Sequence, residues 1–177
     1  MSFIRRILVI EEIVIYPDSR LREISKEIVE FGSALNQTLD NMYETMMDKN
    51  GVGLAGIQIG KADRILIVNI PREDKVQYKE DLLEVINPTI LESSGEILFQ
   101  EGCLSIPNFY EYVKRYSYIK LRYQDREGKV QEIEANDYLA VALQHEIDHL
   151  NGILFIDKLS ILKRKKFEKE YKKQQVS

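Results

Sequence analysis

The segment Tyr138–Leu150, YLAVALQHEIDHL, constrains the fold of this chain more than any other. Its first two turns are apolar nearly all round, and a helix of that kind belongs in a core. Asn136 or Asp137 is expected to cap it, and Gly152 to stop it. Yet the segment also carries two imidazoles and two carboxylates, on His145, Glu146, Asp148 and His149. Burying such groups unpartnered costs several kcal/mol, on the order found for unpaired polar groups. Residues four apart stand one turn above each other, so His145 and His149 face one point, with Glu146 one step round. They are the only two histidines in 177 residues. A chance match of core or surface histidines is the bland alternative, and it leaves the buried polar groups unexplained. A cation held by both imidazoles removes the conflict, and HExxH on a helix is the pattern that provides one.

A catalytic site of this type takes three protein ligands and keeps one position open for water. A third histidine in the pattern HExxHxxGxxH is excluded, because Gly152 is present but Phe155 stands where that histidine belongs. Glu168 or Glu170 would serve in a small zinc peptidase, but both sit among seven lysines and arginines in KRKKFEKEYKK and read as solvated. Cys103 is the stronger candidate, since a thiolate binds zinc or ferrous iron well and coordination deprotonates the thiol. Taken alone, a lone cysteine is more often a small buried hydrophobe. As the single cysteine it has no internal disulfide partner, which suits a reducing compartment. A closed structural site would need a fourth ligand, and no third histidine or second cysteine supplies one.

The rest of the chain reads as one α+β domain over residues 1–177, with mainly antiparallel sheets packed around the buried HExxH-bearing helix and a C-terminal helix. Leu35, Thr38, Leu39, Met42 and Met46 recur at helical steps, predicting an amphipathic helix that ends at Gly51. GVGLAGIQIG follows, with four glycines in ten positions, a tight backbone rather than a linker. Arg64–Ile70 and Leu83–Asn87 read as strands, with a polar loop around Arg72–Glu80 between them. Tyr118–Tyr123, the turn DREGK and VQEIEA read as a β-hairpin. In EGCLSIP, Gly102 admits close backbone approach and Pro107 is expected to end the segment. The net charge of −4 argues against a nucleic-acid binder, and no apolar run reaches the roughly 20 residues of a membrane span. The N-terminal stretch MSFIRRILVIEEIVIYP has acidic residues and no cleavage site, so a cytoplasmic protein is expected.

Three segments carry a family resemblance: GVGLAGIQ (51–58), EGCLSIP (101–107) and QHEIDHLNG (144–152) resemble, in order and spacing, the signature motifs of peptide deformylase. YPDSRLR is similar to the family's N-terminal segment, and the likeness covers about residues 12–160. It implies removal of the formyl group from N-terminal formylmethionine of new polypeptides, with release of formate. The implied roles are metal ligation by Cys103, His145 and His149, proton transfer by Glu146, and oxyanion stabilisation by Gln58 and the Leu104 N–H. A structural amide that satisfies the glycine loop is the competing reading of Gln58. The implied metal is Fe2+, with Zn2+, Ni2+ or Co2+ able to occupy the site; by general affinity order zinc binds more tightly.

The methionine side chain needs an apolar slot, and helix geometry sets Tyr138, Val141 and Ala142 on the face leading to His145, with Phe99 expected to close it. A core helix would show the same residues. Glu101 is grouped with the substrate-binding residues, and the backbones of Gly53 and Ile57 are expected to pair with an extended peptide. Asp148 and Arg115 are expected to pair beside the ligands. Two positions depart from the family pattern: Gly56 replaces its usual alanine, which would loosen the loop, and Tyr110 replaces an arginine that contacts substrate backbone. The basic tail, 163–177, continues a partial apolar stripe that begins at Leu159 and Leu162 and runs on through Phe167 and Tyr171. It reads as a solvated helix by default and, by resemblance, as a ribosome contact whose removal after Leu162 would spare hydrolysis of a free peptide. The expected partners are formylmethionyl peptides, with no membrane, and the protein is expected to be a monomer.

Overall fold

The computed structural model describes residues 7–176, so Met1–Arg6 of the N-terminal stretch and Ser177 of the tail lie outside the described residues. The order is α1 (Ser33–Asp48), β1 (Gly53–Ala55), β2 (Ile65–Val68), β3 (Leu83–Ser94), β4 (Ile97–Cys103), β5 (Ile106–Arg115), β6 (Tyr118–Gln124), β7 (Val130–Asn136), α2 (Asp137–Leu150) and α3 (Ile161–Val176). Among the described residues no helix is long and apolar enough to cross a membrane.

The main sheet has the order β1-β2-β3-β6-β7, antiparallel throughout. β2 is buried along its whole length, which accounts for its unbroken Ile-Leu-Ile-Val run. Successive strand residues point to opposite faces. Leu66 and Val68 accordingly meet Leu143, Ile147 and Leu150 of α2, whereas Ile65 and Ile67 meet Leu39, Met42 and Met46 of α1. The sheet is thus held between α1 and α2. The hairpin expected around DREGK is β6–β7, paired from Tyr118↔Asn136 to Gln124↔Val130.

β4 and β5 form a separate two-stranded sheet not anticipated from sequence. Pro107 does not end its segment but stands second in β5. The hairpin's inner face meets the chain after α2 and the one buried residue of α3, so Ile106, Phe109 and Val113 pack with Leu154, Phe155 and Phe167. β3 runs on to Ser94 through two bulges, one between Ile86 and Thr89 that accommodates Pro88 and one between Ile90 and Glu92. Three terminal expectations are corrected. α1 stops at Asp48 rather than at Gly51, and Asn50 turns the chain out of it with φ 56°. Asn136 occupies the N-cap of α2 but its side chain makes no capping hydrogen bond; the Asp137 N–H donates to the Ser117 carbonyl at 2.8 Å. Of the tail's apolar stripe Leu159, Phe167 and Tyr171 pack inward, whereas Leu162 is 80% exposed.

Candidate metal centre

α2 carries His145, Glu146 and His149 buried in its last two turns, with the imidazole centroids 5.0 Å apart. The β4–β5 hairpin brings Cys103 to the same point, its Sγ 3.3 Å from His149 Nε2. One donor atom from each of Cys103, His145 and His149 lies within 4.8 Å of the others, the group among the described residues able to hold a metal ion. Glu168 and Glu170 are absent from it: they sit on α3, facing Arg164 and Lys166 at 3.8 and 4.0 Å. Phe155 stacks on His145 with centroids 6.0 Å apart.

His145 is aimed from outside the cluster. His145 Nδ1 lies 2.7 Å from Glu101 Oε1, leaving its Nε2 toward the donors. Arg115, itself buried, donates from Nε to Glu101 Oε2 at 2.8 Å and from Nη1 to Asp148 Oδ2 at 2.5 Å. The Arg115–Asp148 pair is therefore present, bridging β5 to α2. Both Glu101 oxygens, grouped with substrate contacts in the sequence, are taken up by Arg115 and His145. Burial alone would push the Glu101 carboxyl up, but the hydrogen bonds from Arg115 and His145 outweigh it and hold it at about 2. Burial keeps His149 well below the usual imidazole value, in the neutral form that ligates metal.

Glu146 approaches β1 so closely that a Cβ on Gly53 would lie 2.5 Å from its Oε1. Its carboxyl is pushed up to about 7, chiefly by burial and against the charge of His145. Glu146 Oε2 and His149 Nδ1 are buried without hydrogen-bond partners among the described residues. A cysteine sulfur, two imidazoles and an unsatisfied carboxyl oxygen on one cluster fit a divalent cation of the zinc or ferrous type.

Gln58 serves the glycine loop and the site at once. Its Oε1 accepts from the Ala55 N–H at 2.9 Å, which turns Nε2 toward Ser105 Oγ at 3.2 Å and Cys103 Sγ at 3.5 Å. The buried hydroxyl of Ser105 was missed in the sequence, though it lies inside the second motif. Gly56 does not loosen this loop: an added Cβ would sit 2.9 to 3.1 Å from Ile65 Cγ1 and the carbonyls of Lys61 and Asp63.

A cavity of about 490 Å³ opens over the cluster. Gly53, Leu104, Val141 and Ala142 line it, as do Phe99 and Tyr138, whose rings stack with centroids 4.9 Å apart. Tyr110 lies at its mouth, 66% exposed, with its ring against Gly102. Ile57 does not line the cavity with its side chain, which is buried in the core beside α2, and its carbonyl accepts from the Gly60 N–H at 3.0 Å. β1 is an edge strand, and the Ala55 N–H points away from β2 to Gln58. By the two-residue strand period the N–H and C=O of Gly53 point the same way, to the open edge.

The polypeptide deformylase family model matches residues 10–165. A peptide deformylase of Helicobacter acinonychis is 60% identical over 161 residues, covering 91% of this chain and 92% of that protein. One of Wolinella succinogenes is 61% identical over 163 residues, covering 92% and 96%. The crystal structure of a peptide deformylase from Legionella pneumophila superposes with a TM-score of 0.87 at 41% identity, covering 95% of this chain and 98% of the other. Matched in sequence over most of its length and in fold, the chain belongs to the polypeptide deformylase family.

Proposed function

We infer that this chain is a metal-dependent hydrolase that removes the formyl group from the N-terminal formylmethionine of new polypeptides. The observation that carries the reading is the cluster of Cys103, His145 and His149 donors within 4.8 Å, in a cavity that also presents the unsatisfied carboxylate of Glu146. Cys103, His145 and His149 would hold the ion, taken as ferrous iron. When bound, the ion supplies a Lewis acid and lowers the pKa of water toward neutrality.

Glu146 takes a proton from the attacking water, and the water oxygen adds to the formyl carbon. The C–N bond then breaks, and Glu146 returns the proton to the leaving nitrogen, giving formate and a free amino terminus. Negative charge growing on the formyl oxygen meets the Gln58 Nε2 donor and the Leu104 N–H, and donors fixed in advance are each worth about 3 to 4 kcal/mol. The methionine side chain enters between Phe99, Tyr138, Val141 and Ala142, and the Gly53 backbone pairs with the extended peptide at the open edge of β1. The exposed lysines of α3, among them Lys165, Lys169 and Lys172, support a ribosome contact.

The test is formate release from formyl-Met-Ala-Ser by protein purified anaerobically with iron, beside N-acetyl-Met-Ala-Ser. Formate is expected from the parent only on the formyl peptide. Cys103→Ser is expected to lose metal, and Glu146→Gln to keep it while losing turnover. A well-metallated parent that releases no formate overturns the reading.

A further inference from the structure

A second cavity, of about 450 Å³, shares Ile106, Pro107 and Asn108 with the first. Its apolar lining comes from Ile15, Phe109 and Phe167, and its far rim from Glu170, Tyr171 and Gln175 in the last turns of α3. The common wall is an exposed ridge at the start of β5, where Pro107 has no N–H and Asn108 turns the backbone with φ 63°. α3 is held over this groove by the buried Phe167 and by the Tyr171 hydroxyl, which donates to the Tyr16 carbonyl at 2.9 Å.

A substrate that is the end of a long polypeptide has to leave the first cavity, which at about 490 Å³ encloses only a few residues. A chain leaving over Pro107 and Asn108 enters the second cavity directly. We propose that this groove between α3 and the start of β5 is an extended subsite for substrate residues beyond the third, selecting an apolar side chain there. Glu170 on the rim opposes an acidic one. The inference rests on the deformylase reading and adds a determinant of substrate choice supplied by the C-terminal helix.

The test compares kcat/KM for formyl-Met-Ala-Ser, its extension by three leucines and its extension by three aspartates, in the iron-loaded parent, Ile15→Arg and Gln175→Trp. Ile15→Arg sets a charge in the apolar wall, whereas Gln175→Trp fills the groove. The leucine extension is expected to raise kcat/KM about tenfold in the parent, the effect of sheltering most of one leucine side chain, and the aspartate extension to give no gain. In both variants the leucine-to-tripeptide ratio is expected to fall to about one. The ratio within each protein carries the result, so a general loss of activity does not mimic it. A parent ratio near one, an equal gain from aspartate, or an undiminished ratio in both variants overturns the proposal. Absence of formate even from the tripeptide overturns the deformylase reading beneath it, and that arm distinguishes the two failures.

Discussion

At the scale of the residue, the carboxylate of Glu101 does more than its place in the second motif suggests. It aims His145 and neutralises Arg115, whose side chain is 3% exposed. Glu101→Gln leaves that guanidinium buried with Asp148 as its one remaining carboxylate, and removing one partner from a buried ion pair costs up to about 3 to 5 kcal/mol. The expected outcome is a denaturation midpoint lowered to match and metal affinity weakened about 10- to 100-fold, read by calorimetry and metal titration. Gln58→Ala separates two readings of one amide. Loss of the Nε2 donor alone lowers kcat about 10²- to 10³-fold with metal retained, whereas equal loss of metal and turnover would mark a purely structural amide. Cys103, His145 and His149 were legible in the sequence because few residue types resolve the burial of two histidines. The Ser105 hydroxyl was not, since nothing in a lone serine distinguishes a buried partner of Gln58 from a surface one.

At the scale of the element, legibility followed burial on both faces. β2 reads as an apolar run because helices cover both sides of it, and α2 for a similar reason. The β4–β5 hairpin was missed because Phe99, Glu101 and Cys103 occupy alternate positions where a plain strand would carry a uniform apolar row. On the other side Tyr110 and Tyr112 face solvent and blur the alternation further. The lysine-rich sequence of α3 predicts a solvated helix, yet Phe167 is 2% exposed and packs on Tyr16 and Phe109. Truncation after Leu162 removes that ring and is expected to destabilise the protein by about 1.5 to 3 kcal/mol, read as a lowered unfolding midpoint. Reversing Lys165, Lys169 and Lys172 to glutamate leaves Phe167 in place. It is expected to weaken salt-dependent ribosome binding, read by co-sedimentation, while the melting temperature holds.

At the scale of the whole molecule, ion pairs join segments that the main sheet does not. Asp157, just after α2, is held by Arg22 from the N-terminal part of the chain, by the Leu154 N–H and by Arg164 of α3. Burial would raise its carboxyl, but the bonds from Arg22 and Leu154 outweigh it and hold the group below the ordinary aspartate value of 3.8. A lowered folded pKa gives stability that is full above that ordinary value and is lost as pH falls through the lowered one. Asp157→Asn is therefore expected to lower the unfolding midpoint at neutral pH, and the difference from the parent is expected to vanish on acidification. A difference that is independent of pH would refute the linkage.

Two glycines would leave different marks on a population of variants. Glu146 fills the space where a side chain on Gly53 would stand, and a carboxylate at the end of a side chain can swing away. At Gly152, φ is 71° and a Cβ would lie 2.4 Å from the main-chain carbonyl oxygen of Arg22, which has no such freedom. In a library covering every substitution, position 53 should be depleted under selection for growth on formylated proteins while its variants persist at normal abundance. Position 152 should be depleted in abundance itself. One vacancy keeps a proton carrier in place, and the other keeps the chain folded.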